Sequence, residues 1–151
     1  MVRFDRPKVH MVSAAGLLEA DPVRALTDYS ELFRLTKLLT RDSSRETEQF
    51  YRRMCFNILT VNQDDHLKNF AFIFDDRSGF WKLSPAYDLT YCITAYGEHT
   101  TTVCGKGKNI TPDDLIKLGK SAGLSKGKCK EIAEEIEQKT QVLRKYFEGG
   151  R

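Results

Sequence analysis

Residues 61–69 read V-N-Q-D-D-H-L-K-N and bring two carboxylates, an imidazole, an ammonium group and several amides into one short stretch. The stretch lies between a helix-like apolar run, residues 50–60, and a strand-like run, residues 70–74. Polar groups at this density between two core-seeking segments predict a loop that a rigid scaffold holds in place. Asn and Asp also favour solvated turns, so the composition alone leaves an ordinary turn open.

Within this loop, Asp64 and Asn69 are five residues apart. The same separation joins the catalytic Asp and the metal-binding Asn of the protein-kinase catalytic loop. Phosphoryl transfer needs a carboxylate near the attacking hydroxyl and oxygen ligands for magnesium. Asp64 can serve as that carboxylate, and Asn69 with Asp88 can supply hard oxygen ligands. His66 and Lys68 add hydrogen-bond donors, and Lys68 adds a positive charge beside a phosphate.

The composition is that of a folded globular protein. A length of 151 residues suffices for one domain with a hydrophobic core, and the apolar (40%) and charged (30%) fractions argue against disorder. A net charge of +3 tolerates an acidic partner without indicating nucleic-acid binding. The four cysteines are widely spaced, which predicts reduced thiols in a cytoplasmic protein rather than a disulfide framework or a zinc site. No apolar run has the length of a membrane span, and the amino terminus lacks a signal-peptide pattern, so we expect no membrane association.

The amino-terminal region predicts a β-hairpin. Residues 2–5 and 9–12 alternate enough to form short strands around a turn. Two strands alone are marginal in water, so this hairpin needs a sheet to pair with. Residues 13–16 are small, and two interpretations stay open for them: close approach of a ligand, or a plain linker.

Helical periodicity and capping residues predict four helices further along the chain. Their expected ranges are residues 28–40, 44–61, 112–122 and 125 to about 147, with Asp28, Ser44 and Thr111 as caps of the first three. In the last helix we expect the charged residues on a solvated face. Its inward residues should be Ile132, Ile136, Val142 and Leu143.

A second hairpin follows residues 61–69, which we call the polar loop. Residues 70–74 and 80–83 are apolar and flank a short connection of Asp, Arg, Ser and Gly. This hairpin carries the chain away from Asn69 and back, which predicts that Asp88 lies near Asp64. Residues 100–104 predict a further short strand or extended segment.

Three segments resemble one family. D-D-H-L-K-N-F at residues 64–70 resembles the D-x-H-x-K-N-F signature of HipA-type serine/threonine kinases, the toxins of bacterial HipBA modules. L-S-P-A-Y-D-L at residues 83–89 resembles the L-x-P-x-Y-D segment that follows it, and R-F-D-R at residues 3–6 resembles a preceding strand. The resemblance covers nearly the whole chain, with the motifs in family order. It implies an α+β, mainly helical fold with short β-hairpins, the carboxy-terminal lobe of a HipA-type, protein-kinase-like architecture.

The resemblance also implies roles for individual residues. Asp64 would be the catalytic base, and Asn69 and Asp88 the Mg²⁺ ligands. His66 and Lys68 would contact phosphates or hold the loop.

For the nucleotide, the resemblance implies that ATP lies against Tyr87. The adenine-contacting hinge of the family falls at Val12, Ser13 and Ala14, where the sequence match is slight. ATP and Mg²⁺ are thus the implied cofactors.

The family's nucleotide-clamping loop and phosphate-binding lysine lie upstream of the R-F-D-R strand, whereas Met1 stands two residues before Arg3. We therefore expect a single domain over residues 1–151 that lacks the amino-terminal lobe. A shortened form of a longer kinase, an inert truncated gene product, and a split kinase whose other lobe is a separate chain all stay open. The implied partners are a helix-turn-helix HipB-like antitoxin, DNA only through that antitoxin, and a protein substrate such as an aminoacyl-tRNA synthetase.

Two other functions remain open from the residues. The lobe could be a catalytically inert docking module for the antitoxin. Alternatively, Asp64, Asp65, His66 and Asp88 could ligate metals in a hydrolase or nuclease. For Asp65 alone, we expect an exposed loop carboxylate without a special role.

Overall fold

The computed structural model describes residues 9–21 and 27–148, and helices dominate it. In chain order, the elements are β1 (Met11–Ser13), α1 (Ala14–Leu17), β2 (Thr27–Asp28), α2 (Tyr29–Leu39), α3 (Ser44–Leu59), a 3₁₀ turn (Leu67–Asn69), β3 (Ala71–Asp75), β4 (Phe80–Leu83), β5 (Thr101–Thr102), α4 (Pro112–Ser121) and α5 (Lys126–Glu148). The mainly helical α+β class with short strands agrees with the prediction.

Capping defines where α2 and α3 begin. Asp28 caps α2, as predicted, by accepting a hydrogen bond from the Ser30 amide at 2.9 Å. For α3 the prediction was wrong by one residue, because the hydroxyl of Ser43 rather than Ser44 accepts from the Glu46 amide. The helix also ends before Val61, whose φ of +57° lies outside the helical region.

An aromatic cluster forms the centre of the core. The rings of Phe33 and Phe50 meet edge to face with centroids 4.8 Å apart. Phe70 lies 5.6 Å from Phe50 and 5.7 Å from Tyr29. Such pairs add about 0.5–1.5 kcal/mol beyond the burial of their area. Because Phe50 belongs to α3 and Phe70 directly follows residues 61–69, the cluster anchors both sides of the polar loop.

Two small sheets complete the fold around this loop. One has the antiparallel order β1-β3-β4, with Val12 opposite Phe72 and Phe72 opposite Leu83. The other pairs β2 and β5 in parallel, with Thr27 opposite Thr101. The predicted strand at residues 2–5 and the R-F-D-R segment lie outside the described residues. The second predicted strand is β1, and its sheet partner is β3.

The carboxy-terminal helices pack on α3. Helix α4 begins with a capping box formed by Thr111 and Asp114, and Gly123 with a φ of +94° follows its end. In α5, Ile132 is fully buried, but Val142 and Leu143 are 59% and 38% exposed, so their predicted inward placement was wrong. A 23-residue helix is about 34 Å long, whereas the 16-residue α3 is about 24 Å long, so the end of α5 extends beyond its neighbour. None of the helices in the described part of the chain is both long and apolar enough to cross a bilayer.

Candidate active site

The polar loop begins at a strained residue. Val61 is β-branched, and its positive φ is rare for such a residue and costs about 1–3 kcal/mol. Neighbouring backbone groups hold it there. The Asn62 amide donates to the Asn57 carbonyl at 2.9 Å, and Cys92 donates to the Val61 carbonyl and accepts from the Gln63 amide. The chain is therefore fixed before it reaches Asp64.

Asp64 and Asn69 are in direct contact. The Nδ2 atom of Asn69 donates to the main-chain carbonyl of Asp64 at 2.8 Å. Because the amide nitrogen is the donor, Oδ1 of Asn69 remains available as a ligand. The side chain of Asp64 is 50% exposed, which leaves its carboxylate accessible to a substrate hydroxyl.

His66 and Lys68 occupy different environments in the same loop. The Nε2 atom of His66 lies 3.7 Å from Oδ1 of Asp64, at the long end of ion-pair distance. Its Nδ1 atom is buried and lacks a hydrogen-bond partner among the residues that the structure describes. Lys68 is exposed, so its ammonium group is free to meet an anion.

The segment after β4 returns to the loop, as the predicted hairpin required. The hydroxyl of Tyr87 donates to the Lys68 carbonyl at 2.5 Å, and Nδ2 of Asn62 lies 3.4 Å from the Asp88 carbonyl. Burial raises the pKa of the Tyr87 phenol, which carries its proton at neutral pH and can donate. Asp88 is exposed and has a φ of +54°, a conformation that Asp adopts more readily than most residues. The hairpin thus brings the two motif segments into contact.

The proposed nucleotide hinge lies beside the end of the same loop. The Ala14 amide donates to the Phe70 carbonyl at 2.7 Å, and the Ser13 hydroxyl accepts from the Gly16 amide at 3.2 Å. Val12 is half-buried in β1, and Ala14 is fully buried. Residues 13–16 are therefore a capped helical turn rather than a plain linker, and the Ala14 amide is already paired within the protein.

Asp65 was predicted to be exposed, and that prediction was wrong: the residue is fully buried. Its Oδ2 atom accepts from the Tyr29 hydroxyl at 2.7 Å and lies 3.1 Å from Nδ1 of His99. Its Oδ1 atom accepts from the Thr101 amide at 3.1 Å. Successive side chains of an extended segment point to opposite sides, so an accessible Asp64 goes with an inward Asp65.

The hydrogen bonds continue beyond Asp65. Nδ2 of Asn57 donates to the Tyr29 hydroxyl at 3.1 Å, and Nδ2 of Asn62 donates to Oδ1 of Asn57 at 3.0 Å. Burial, and the negative charge of Asp65, raise the pKa of Tyr29 well above its ordinary value. We call this set the Asp65 network; its members are Tyr29, Asn57, Asn62, Asp65, His99 and Thr101. It ties the loop to α2, α3 and β5.

Asn69 and Asp88 are the side chains of this site that could supply oxygen ligands to a metal ion. Within residues 9–21 and 27–148, no group of three or more His, Cys, Asp or Glu side chains is arranged to hold a metal ion. Mg²⁺ in phosphoryl-transfer sites takes one or two carboxylates, with waters and substrate phosphates as the other ligands. Asn69 and Asp88, on touching segments, fit that sparse set. The inward Asp65 removes one ligand from the hydrolase alternative.

Comparisons with known proteins agree with the motifs. The family model for the HipA-like C-terminal domain matches residues 1–143. A Sinorhizobium fredii protein named "Putative kinase Y4dM" is 34% identical over 106 residues, which cover 67% of this chain and 26% of that protein. A Haemophilus influenzae protein named "Putative kinase" is 28% identical over 181 aligned positions, covering 97% of this chain and 52% of that protein.

A solved structure shares the fold. HipA of Shewanella oneidensis, determined in a complex with HipB and its operator DNA, superposes with a TM-score of 0.72 at 19% identity. The match covers 89% of this chain and 38% of that HipA chain. This chain thus spans about half or less of the length of each matched protein. With a family model matching nearly all of its residues, the chain belongs to the HipA-like C-terminal domain family.

Proposed function

We propose that this chain carries the acceptor and metal side of a HipA-like serine/threonine kinase site, which transfers the γ-phosphoryl group of ATP to a protein hydroxyl. The observation that carries the proposal is the paired geometry of Asp64 and Asn69. Asn69 holds the main chain of Asp64 while the Asp64 carboxylate stays half exposed. A general base needs both a fixed position and access to the hydroxyl that it deprotonates.

Each loop residue has a role in this proposal. Asp64 accepts the proton of the attacking hydroxyl, and His66 orients the Asp64 carboxylate from 3.7 Å. Oδ1 of Asn69 and the carboxylate of Asp88 hold Mg²⁺, which when bound neutralises charge on the phosphates. The exposed ammonium of Lys68 meets the transferred phosphate.

The nucleotide side of the site is only partly present in the described residues. Tyr87 and the Val12–Ser13–Ala14 segment flank the loop from two directions and form one wall for ATP. The matched relatives are longer than this chain. We propose that a second lobe, in the same polypeptide or in a separate chain, supplies the remaining nucleotide contacts.

A protein partner belongs to the same proposal. The Shewanella oneidensis HipA is bound to HipB and operator DNA. We propose that a helix-turn-helix antitoxin of the HipB kind docks on this chain and that any DNA contact runs through it. The acceptor would be a serine or threonine of a protein, for which the family resemblance suggests an aminoacyl-tRNA synthetase.

Calorimetric titration with ATP and Mg²⁺ tests the metal roles directly. We expect saturable, Mg²⁺-dependent binding that Asp88→Asn abolishes. Asp64→Asn should retain binding, because a base for the acceptor hydroxyl does not hold the nucleotide. Asp76→Asn is the matched control, since Asp76 is an exposed carboxylate in the β3–β4 turn. Binding that survives Asp88→Asn unchanged would contradict the proposed metal role.

The phosphoryl-transfer step is tested in a complex that contains this chain and has kinase activity. Asp64→Asn should lower the phosphoryl-transfer rate by at least about 10²-fold, the usual contribution of a positioned general base. Nucleotide affinity should stay near the wild-type value. An undiminished transfer rate would remove Asp64 from the proposed mechanism.

A further inference from the structure

A cavity of about 500 Å³ is lined by α3, the β3–β4 hairpin, the segment after β4 and one residue of α5. None of the proposed catalytic or metal-binding residues lines it. Its apolar wall includes Phe56 of α3, Leu89 after β4 and Ile136 of α5. Its charged lining consists of four cationic side chains, Arg45, Arg52, Arg53 and Lys82, and a single carboxylate, Glu46.

Three of these charged groups already have partners within the protein. Arg52 pairs with Glu135, and Lys82 pairs with Asp75 at 3.1 Å. The Oε2 atom of Glu46 accepts from the Leu83 amide at 2.8 Å. The two remaining charged side chains of the lining are Arg45 and Arg53.

Arg53 is short of partners for a half-buried cation. Its Nη2 atom donates to the Ser84 carbonyl at 2.7 Å, while Nη1 is buried without a partner among the described residues. Burial lowers the pKa of the guanidinium, and the nearby Glu46 and Tyr87 offset this only in part. A guanidinium has five donors suited to a carboxylate, so a partly desolvated one with one nitrogen lacking a partner can bind an anion.

Arg45 lies at the exposed rim of the same cavity, and it forms no ion pair with any other described residue. It adds positive potential at the cavity entrance. The lining therefore combines an apolar wall with four cationic side chains against the single carboxylate of Glu46, and this excess of positive charge attracts an anion joined to an apolar body.

We propose that this cavity binds a carboxylate carried on an apolar body, with the carboxylate at Arg53 and Arg45 and the apolar part against Phe56, Leu89 and Ile136. The proposal is independent of the kinase proposal, because it uses none of the same residues. Two sources share this chemistry: a free medium-chain carboxylic acid, and an acidic side chain between apolar residues of a peptide.

The test uses NMR titration of the whole chain with two probes. Octanoate represents the free acid, and octanol is its uncharged control. N-acetyl-Leu-Asp-Leu-amide represents the peptide, and its Asn counterpart is the uncharged control. We expect saturable shifts at the Arg53 Nε–H and at the amides around Ser84, with the charged probe of at least one pair binding tenfold tighter than its control. Tighter octanoate or tighter peptide binding would each support the site and would identify its source.

Variants locate the binding. Arg45→Glu should weaken the better probe about three- to tenfold, as expected for reversing a charge at an exposed rim. Arg53→Gln should weaken it at least tenfold. Arg34→Glu is the matched control, because Arg34 is exposed on α2 and outside the cavity, and it should change nothing. If Arg53→Gln fails to fold, Arg45→Glu and Arg34→Glu still decide the question.

Three results would overturn the proposal. The first is the absence of saturable binding of either charged probe in the millimolar range. The second is equal binding of the charged and uncharged members of both pairs. The third is wild-type affinity in Arg45→Glu.

Discussion

Asp64 and Asp65 are neighbouring residues of the same type, yet they face opposite sides of the polar loop. Asp64 is half exposed, and Nε2 of His66 lies 3.7 Å from its carboxylate. Asp65 is fully buried, and its carboxylate is held by Tyr29, His99 and Thr101. The inward side supplies hydrogen bonds that hold the loop still, while the outward side stays accessible.

This division explains how a mostly irregular loop can hold Asp64, the proposed base, in place. An irregular segment loses conformational freedom at a cost of about 1–2 kcal/mol per residue. The Asp65 network offsets part of that cost through contacts with α2, α3 and β5. The comparison predicts two distinct effects. Substitutions on the inward side should lower stability, and substitutions on the outward side should lower the proposed activity.

The largest expected effect is that of Asp65→Ala. The substitution leaves the Tyr29 hydroxyl, the His99 ring and the Thr101 amide without their acceptor inside the protein. We expect the free energy of unfolding to fall by about 3–5 kcal/mol, because three buried groups lose their acceptor at about 1–3 kcal/mol each. Urea denaturation followed by circular dichroism measures this change.

Asp64→Ala is the matched control for that experiment, because it makes the same chemical change one residue earlier. A half-exposed carboxylate without a close partner among the described residues contributes little, so the free energy of unfolding should stay within about 0.5 kcal/mol of wild type. Equal losses in the two variants would contradict the division of the loop into two sides.

Tyr29→Phe probes the same network more gently. It removes one hydroxyl, which donates to Asp65 and accepts from Asn57, and should cost about 1–2 kcal/mol at neutral pH. The raised pKa of Tyr29 adds a pH signature. Above about pH 10 the unfolded chain loses the phenolic proton while the folded chain keeps it, so wild-type stability falls as pH rises.

Denaturation between pH 8 and pH 11 tests that sign, where these limits bracket the ordinary tyrosine pKa of about 10. The stability of Tyr29→Phe should fall less steeply than that of wild type, so the gap between the two proteins narrows with rising pH. Tyr51, whose pKa burial also raises, keeps part of the slope in both proteins. A gap that widens with pH would contradict the buried, protonated state of Tyr29.

Local sequence patterns were sufficient for the secondary-structure elements around the polar loop. Helix caps such as Asp28 and Thr111 and the β3–β4 hairpin depend on neighbouring residues, and they were predicted nearly as observed. The hairpin prediction in turn brought the Asp88 segment to the loop. Asp64 and Asn69 meet because a separation of five residues is spanned by a single turn of chain.

The inward side of the loop could not be predicted in the same way. The partners of Asp65 lie 34–36 residues away along the chain, and no local pattern links them to it. Helical periodicity predicted the buried face of α5 correctly at Ile132. It could not predict how far along the helix other elements cover that face, so the inward placement of Val142 was wrong. Sequence patterns report which side of an element is apolar, whereas tertiary contacts decide which polar side is buried.

The smallest expected effect concerns Val61, which leads into both sides of the loop. Its positive φ is unfavourable for a β-branched side chain and acceptable for Asn. Val61→Asn should therefore raise the free energy of unfolding by about 0.5–1 kcal/mol, after some loss of apolar burial. Val142→Asn is the matched control, because it makes the same change at an exposed helical position where Val and Asn have similar propensities. A loss of stability in Val61→Asn with no change in Val142→Asn would mean that the packing of the Val61 side chain outweighs its backbone strain. The loop entry would then be stabilised by apolar contact, and the hydrogen bonds of the Asp65 network would not be its main support.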